Sequence, residues 1–202
     1  MTLTIINNFR CLCEIDKQLY INTIAEALLP IFEFYNDKKI IFYYKKSMNV
    51  LWLYCSENKK ECISNFLDIK NFFDDEYDEY CYLSYEDEIF KKYLAYEAVR
   101  ILQRCFDQNK ELAGKLIIKN FMDLNVKIEE YDYNVNRKMI KSDNIEDLLN
   151  KISDLGQKEI CETMLDEIFK NCNKKYDIRR KKEILKQVAY KYQNVLNQIF
   201  KI

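Results

Sequence analysis

The residues best suited to recognition or chemistry are carboxylates crowded between residues 71 and 90, in the stretch NFFDDEYDEYCYLSYEDEIF. This stretch contains eight carboxylates and seven aromatic rings, and it has no lysine or arginine. Like charges at this density repel one another, whereas tyrosines offer rigid contact area at low entropic cost. The pattern predicts a docking surface for a basic partner; the alternative is a solvated acidic loop whose rings pack locally. The predicted partner contacts are Asp74, Asp75, Glu76, Tyr77, Asp78, Glu79, Tyr80 and Tyr82.

A second charged stretch, residues 174–191, has the opposite sign. It contains eight lysines and arginines against two carboxylates. Such a helix could contact phosphates, or it could neutralise the acidic stretch of its own fold or of a second copy. The net charge of the whole chain is −1, which favours the internal or solvated interpretation over a dedicated nucleic-acid binder. The nucleic-acid alternative would use Arg179, Arg180, Lys181 and Lys182.

Enzymatic chemistry would lack most of its usual residues in this sequence. No histidine is present, which removes the commonest general base and the commonest metal ligand. Phosphate-cradling loops need glycines at fixed spacing, and the chain has only Gly114 and Gly156. Carboxylates in residues 74–79 could in principle hold Mg²⁺, but an acidic cluster alone is a weak indication of a metal site. The sequence therefore predicts a protein without enzymatic activity, metal or cofactor.

The cysteines and the first residues of the chain bear on its compartment. Eight cysteines amount to about 4% of the residues, below the density of a disulfide scaffold. Cys105, Cys161 and Cys172 fall on or beside apolar helix faces, where cysteine behaves as a small hydrophobic residue. The close pair Cys11 and Cys13 lacks the further ligands that a structural zinc site requires. With no signal-peptide pattern at the start, a reduced, cytoplasmic protein without a membrane span is the expectation.

The elements that position these residues are predicted to be helices. The chain has 202 residues, of which 49% are hydrophobic and 32% charged, so it can form a core and stay in solution. Two glycines and one proline are too few for the tight turns of a β-sandwich or barrel. We therefore expect one domain over residues 1–202, an all-α bundle of six to eight helices. A seam is expected at residues 129–143, where the periodicity is lost.

Apolar side chains at helical spacing locate the main helices. Residues 15–36 form one amphipathic segment that Pro30 must kink or end. Residues 84–106 and 112–128 are expected to form an antiparallel helical hairpin, in which Gly114 indicates either a close helix approach or sequence drift. The β-branched and aromatic run at residues 40–44 is compatible with a short strand, although no clear partner strand follows, and the next element is expected to be a buried helix with Ser47 as its N-cap.

Four short motifs suggest a family. They are the run from Ala25 to Pro30 with rings at 32 and 34, the Val50-Leu51-Trp52 sequence, the acidic turn at 72–75, and an alanine-bearing helix at 93–102. Over residues 15–130 the chain resembles the uncharacterised, YjaG-like all-helical bacterial family. The resemblance implies a helical fold without an assigned reaction, and some relatives of that family look like immunity proteins of toxin loci. The glycine-containing loop expected before the tryptophan helix is missing, and the basic C-terminal helix is an addition.

Together these patterns predict a non-enzymatic, cytoplasmic binding protein of the immunity or inhibitor type. Its acidic aromatic segment would engage and block a basic partner such as a toxin or nuclease. Electrostatic complementarity would speed association, and buried rings would slow release. The alternative is a nucleic-acid-associated helical regulator that uses the basic C-terminal helix. The sequence leaves homo-oligomerisation open.

Overall fold

The computed structural model of the protein describes residues 2–54, 87–132 and 157–201. These ranges contain eight α-helices and no strand, which confirms the all-α prediction. The helices are α1 (Thr2–Arg10), α2 (Glu14–Ala27), α3 (Leu29–Tyr35), α4 (Lys38–Tyr54), α5 (Asp87–Arg104), α6 (Lys110–Tyr131), α7 (Gln157–Cys172) and α8 (Ile178–Phe200).

One hydrophobic core joins all eight helices. Part of it is a cluster of four rings, each from a different helix. Phe34 of α3 stacks on Phe200 of α8 with a centroid separation of 4.4 Å. Phe90 of α5 stacks on Tyr131 of α6 at 4.9 Å. Stacked rings contribute about 0.5–1.5 kcal/mol beyond their buried area. The cluster therefore fixes the start of α5 to the ends of α3, α6 and α8.

The predicted break at Pro30 is present between α2 and α3. Pro30 is buried in the first turn of α3. Backbone N–H groups in the first turn have no intrahelical acceptor, so the absence of this group in proline costs the helix no hydrogen bond. Leu28 links the two helices and is also buried. α3 ends at Tyr35 and is capped by Asn36, whose φ of 60° is left-handed, a conformation that asparagine tolerates at helix ends. The proline thus divides one apolar run into two helices.

Residues 40–44 are helical, so the prediction of a short strand there is wrong. The Asp37 carboxylate accepts the backbone N–H groups of Lys39 at 2.8 Å and Ile40 at 3.1 Å, so α4 starts at Lys38, nine residues before Ser47. Ser47, expected as an N-cap, is instead buried within the helix. Tertiary burial on one face outweighs the weak β preference of the run. The core-facing residues are Ile40, Tyr44, Met48, Leu51 and Trp52.

The predicted antiparallel hairpin is formed by α5 and α6, since Phe90 near the start of α5 stacks on Tyr131 at the end of α6. Gly114 lies where α1 approaches α6. A Cβ atom added to Gly114 would lie 2.0 Å from Cζ of Phe9. The interpretation of this glycine as a close helix approach is confirmed.

Several sequence-based predictions concern residues outside the described ranges. These are the acidic segment up to residue 86, the expected helix start at Ser84 and most of the seam at 129–143. The first residues of that seam, 129–131, belong to α6 and are helical.

Candidate functional site

The acidic segment is described only at its C-terminal edge. All eight predicted partner contacts, from Asp74 to Tyr82, lie outside the described residues. The Glu88 side chain is 80% exposed and lies 3.0 Å from the Lys91 ammonium, one turn along α5. Phe90 is buried against Tyr131. The last ring of the segment is therefore part of the core, whereas its last carboxylate faces solvent.

On the N-terminal side, residues 55–70 separate the acidic segment from α4, and the end of α4 is held at Trp52. The Trp52 indole N–H donates to the Glu26 carboxylate at 2.7 Å. The side-chain amide of Asn22 donates to the Leu51 carbonyl at 2.8 Å. The Lys182 ammonium donates to the Trp52 carbonyl at 2.6 Å. The end of α4 is thus hydrogen-bonded to both α2 and α8.

The four predicted nucleic-acid contacts on α8 divide into two pairs. Arg179 and Arg180 are exposed in the first turn of the helix. Lys181 is buried, and Lys182 is partly buried with its ammonium on the Trp52 carbonyl. The first pair is available to a ligand, whereas the second pair holds α8 against the bundle.

Lys181 connects three helices. Its ammonium lies 2.6 Å from the Asp16 carboxylate of α2 and 2.6 Å from the Cys172 carbonyl at the end of α7. A cation at this position also interacts favourably with the negative end of the α7 dipole. The two charged side chains are only 10% and 15% exposed. Loss of either partner would leave the other charge poorly solvated and unpaired.

A cationic corner, defined here as residues 174–180, forms where α7 turns into α8. The Arg180 guanidinium lies 4.8 Å from the centroid of the Tyr176 ring, and the Lys174 ammonium lies 5.8 Å from it. Cation–π contacts of this kind orient the charged groups over the ring. The Asp177 carboxylate accepts the backbone N–H of Arg180 at 2.9 Å and caps α8. The exposed cations of the corner are Lys174, Lys175, Arg179 and Arg180.

Sequence reasoning missed a second cationic surface, the outer face of α4. This helix has four lysines and no carboxylate. Phe42 and Leu53 are each 62% exposed on the same face. The helical period would have revealed this surface, but the strand interpretation of residues 40–44 obscured it. The four exposed lysines are Lys38, Lys39, Lys45 and Lys46.

The outer face of α4 is continuous with α8 at Trp52. The Lys186 ammonium lies 5.2 Å from the centroid of the Trp52 ring, one helical turn beyond Lys182. Lys186 itself is exposed. Cations from α8 therefore extend the positive charge of α4 around the only tryptophan of the chain.

Burial keeps the titratable core groups protonated. Desolvation raises the pKa of the Cys105 thiol to about 12 and also raises the pKa of the Cys161 thiol. Burial also raises the pKa of the Tyr20 and Tyr44 hydroxyls well above the usual range. The Tyr44 hydroxyl donates to the Ala25 carbonyl at 2.8 Å. These groups therefore act as structural donors or packing groups at neutral pH.

The described residues meet the requirements neither of a metal site nor of a membrane-spanning helix. Within the described ranges, no three cysteine, aspartate or glutamate side chains come together as a metal site would require. None of the helices described here combines the length and apolar character needed to cross a bilayer.

Comparisons of the chain with protein-family models, with curated proteins and with solved structures give no match. The YjaG-like resemblance stays a prediction, and the functional argument depends on the surfaces of this chain.

Proposed function

We propose that the protein is a non-enzymatic binding protein of the inhibitor or immunity type, which engages a basic protein partner through its acidic aromatic segment. The observation that carries the proposal is the composition of residues 71–90, with eight carboxylates, seven rings and no cation. A toxin or nuclease that acts on nucleic acid must present cations to phosphates. An acidic segment with interleaved rings matches such a surface in charge and supplies apolar contact area.

The distribution of charge along the chain supports this proposal. Residues 55–86 have nine carboxylates and three lysines, an excess of six negative charges. The residues that the structure describes have 25 lysines and arginines against 20 carboxylates. Negative charge is thus concentrated in one segment of a chain whose net charge is only −1. Such concentration steers a basic partner toward one region of the surface.

The attachment of the segment to the bundle also supports the proposal. Residues 55–70 join the segment to α4, whose end is fixed by the hydrogen bonds around Trp52, and at the other end of the segment Phe90 stacks on Tyr131. A segment attached at both ends has less conformational freedom to lose when it binds than a free tail has. The bundle therefore acts as a scaffold for the segment.

The test is quantitative affinity capture from the native cell with three baits. The first bait is the wild-type protein. The second replaces the segment's carboxylates (D74N, D75N, E76Q, D78N and E79Q). The matched control removes the same number of exposed charges elsewhere (E14Q, D107N, E111Q, D123N and E183Q).

The proposal predicts a basic protein that is retained by the wild type and by the control and is eluted by salt. The segment variant loses this protein. Equal retention on all three baits, or the absence of any basic protein on the wild-type bait, contradicts the proposal.

A second candidate function is nucleic-acid binding by the cationic corner. The supporting observation is that Arg179 and Arg180 are exposed, with the Arg180 guanidinium over the Tyr176 ring. The test is the shift of a labelled duplex at low salt, with the R179A/R180A variant beside the wild type. Binding that falls steeply with salt and is lost in the variant supports this function. No shift at low salt excludes it.

A further inference from the structure

The outer face of α4 has an ordered arrangement of charge and apolar area. At 100° per residue, Phe42, Asn49 and Leu53 lie along the midline of this face. Lys38 and Lys45 lie along one edge, and Lys39 and Lys46 lie along the other edge. An exposed ring is therefore flanked by ammonium groups on both sides.

The opposite face of α4 holds the helix on the bundle. The Tyr44 ring lies 4.7 Å from the Phe32 ring, and its hydroxyl donates to the carbonyls of Ala25 and Glu26. Because this attachment uses none of the midline residues, the outer face can receive a ligand without disturbing the core. Of the carboxylates near the face, Asp37 caps α4, Glu26 accepts the indole N–H of Trp52, and Glu33 lies 3.9 Å from the Lys45 ammonium in an exposed ion pair, which contributes little.

An accessible ring between rows of cations is the arrangement by which proteins bind single-stranded nucleic acid, with bases stacked on the ring and phosphates on the cations. A duplex would satisfy the lysines, but its bases are stacked internally and cannot reach Phe42. An acidic peptide would also satisfy the lysines, but it gains no base stacking. Lys182 and Lys186 continue the positive charge from α4 onto α8.

We propose that the outer face of α4 binds single-stranded nucleic acid, with Phe42 as a stacking platform and the four lysines as phosphate contacts. This surface is separate from the cationic corner, so the proposal does not depend on the second candidate function. It uses no residue of the acidic segment, so it is independent of the inhibitor function.

The experiment measures fluorescence anisotropy of three labelled probes of equal length: oligothymidylate, its abasic counterpart and a thymidine-adenine duplex. We expect oligothymidylate to bind about tenfold more tightly than the abasic strand, because stacking adds to phosphate contact. The F42A variant should bind both single strands equally, whereas L53A on the same face should keep the preference. The 62% exposure of both side chains makes folding insensitive to either change.

The lysines are tested by salt dependence. The K45A/K46A variant should lower the salt slope for oligothymidylate by about 1.4, at roughly 0.7 for each phosphate contact. The matched control, K119A/K170A, removes two exposed lysines elsewhere and should keep the wild-type slope. The fluorescence of Trp52, which lies beside Lys186, should change when oligothymidylate is added without a label.

The proposal is overturned if oligothymidylate and the abasic strand bind equally, if F42A keeps the preference, or if poly-glutamate competes as well as oligothymidylate. Duplex binding that is lost in R179A/R180A would retain the second candidate function, and oligothymidylate binding that is lost in R179A/R180A but unchanged in F42A would reject this site. Neither result bears on capture of a basic protein by the acidic segment.

Discussion

The Gly114→Ala substitution should destabilise the protein, although alanine is the better helix former. Gly114 is buried in α6 beneath the Phe9 ring, which is itself completely buried. The added Cβ would lie 2.0, 2.2 and 2.9 Å from three ring atoms. Two non-bonded carbon atoms in ordinary contact are about 3.5–4.0 Å apart. Since the new Cβ and the nearest Phe9 ring carbon would be only 2.0 Å apart, the ring and α6 must separate by more than about 1 Å.

Two opposing contributions set the magnitude. Replacing glycine by alanine inside a helix gains about 1 kcal/mol. Inserting a methyl group into a well-packed core costs about 1–3 kcal/mol, and the severe overlap with Phe9 places this site at the upper end. We therefore expect a net loss of about 2 kcal/mol in the free energy of unfolding. For a chain of this size the melting temperature should fall by about 4–8 °C.

The assay is urea unfolding followed by far-ultraviolet circular dichroism, with a double-variant cycle. In the Phe9→Ala background the ring is absent, so Gly114→Ala should become stabilising by about 1 kcal/mol. Lys119→Ala, an exposed substitution in the same helix, is the control and should change stability by less than about 0.5 kcal/mol. If Gly114→Ala is neutral or stabilising in the wild-type background, the close approach of α1 to α6 is refuted.

Three further predictions follow from the core and the termini of the helices. Lys181→Met should cost about 3 kcal/mol in urea unfolding because it leaves the Asp16 carboxylate without its buried partner; a loss under 1 kcal/mol would refute the bridge. Stability should fall as pH rises between about 9 and 12: burial raises the pKa of Cys105 from 9.0 to about 12, so the unfolded chain releases that proton first. Urea midpoints at pH 8 and pH 10 measure this loss of stability. The Cys105→Ala variant should lose less stability between these two pH values than the wild type. An identical loss in the variant would contradict the assignment of the pH dependence to Cys105. In the native protein Cys11 and Cys13 should react with a thiol reagent, whereas Cys105 should react only after unfolding. Peptide mapping of the labelled chain measures this difference. Labelling of Cys105 in the native protein would contradict its burial.

Local signals made much of the fold predictable. Pro30 divides α2 from α3 because the ring constraint operates within one residue, whatever the tertiary context. Gly114 indicated a close approach because a glycine in an apolar helix face is costly unless something occupies the missing side chain's place. Both predictions depend on the chemistry of one residue and were confirmed.

Predictions that depended on distant partners were incomplete or wrong. The run at residues 40–44 has strand-forming side chains, and only the burial of Tyr44 and Leu51 against α2 and α3 selects the helix. In the sequence, Lys181 belongs to the same basic run as Arg179 and Arg180. In the structure, its ammonium donates to the carboxylate of Asp16, which is 165 residues away in sequence. Charge density alone cannot distinguish a cation that binds a ligand from one that binds its own chain.

The most direct test of the central claim is the affinity for the captured basic partner as a function of salt concentration, measured for the wild type, the five-carboxylate segment variant and the matched control. The account predicts that the segment variant binds more weakly and with a shallower salt dependence, while the control behaves like the wild type. An unchanged affinity and salt slope in the segment variant would contradict the claim that the acidic aromatic segment is the recognition surface.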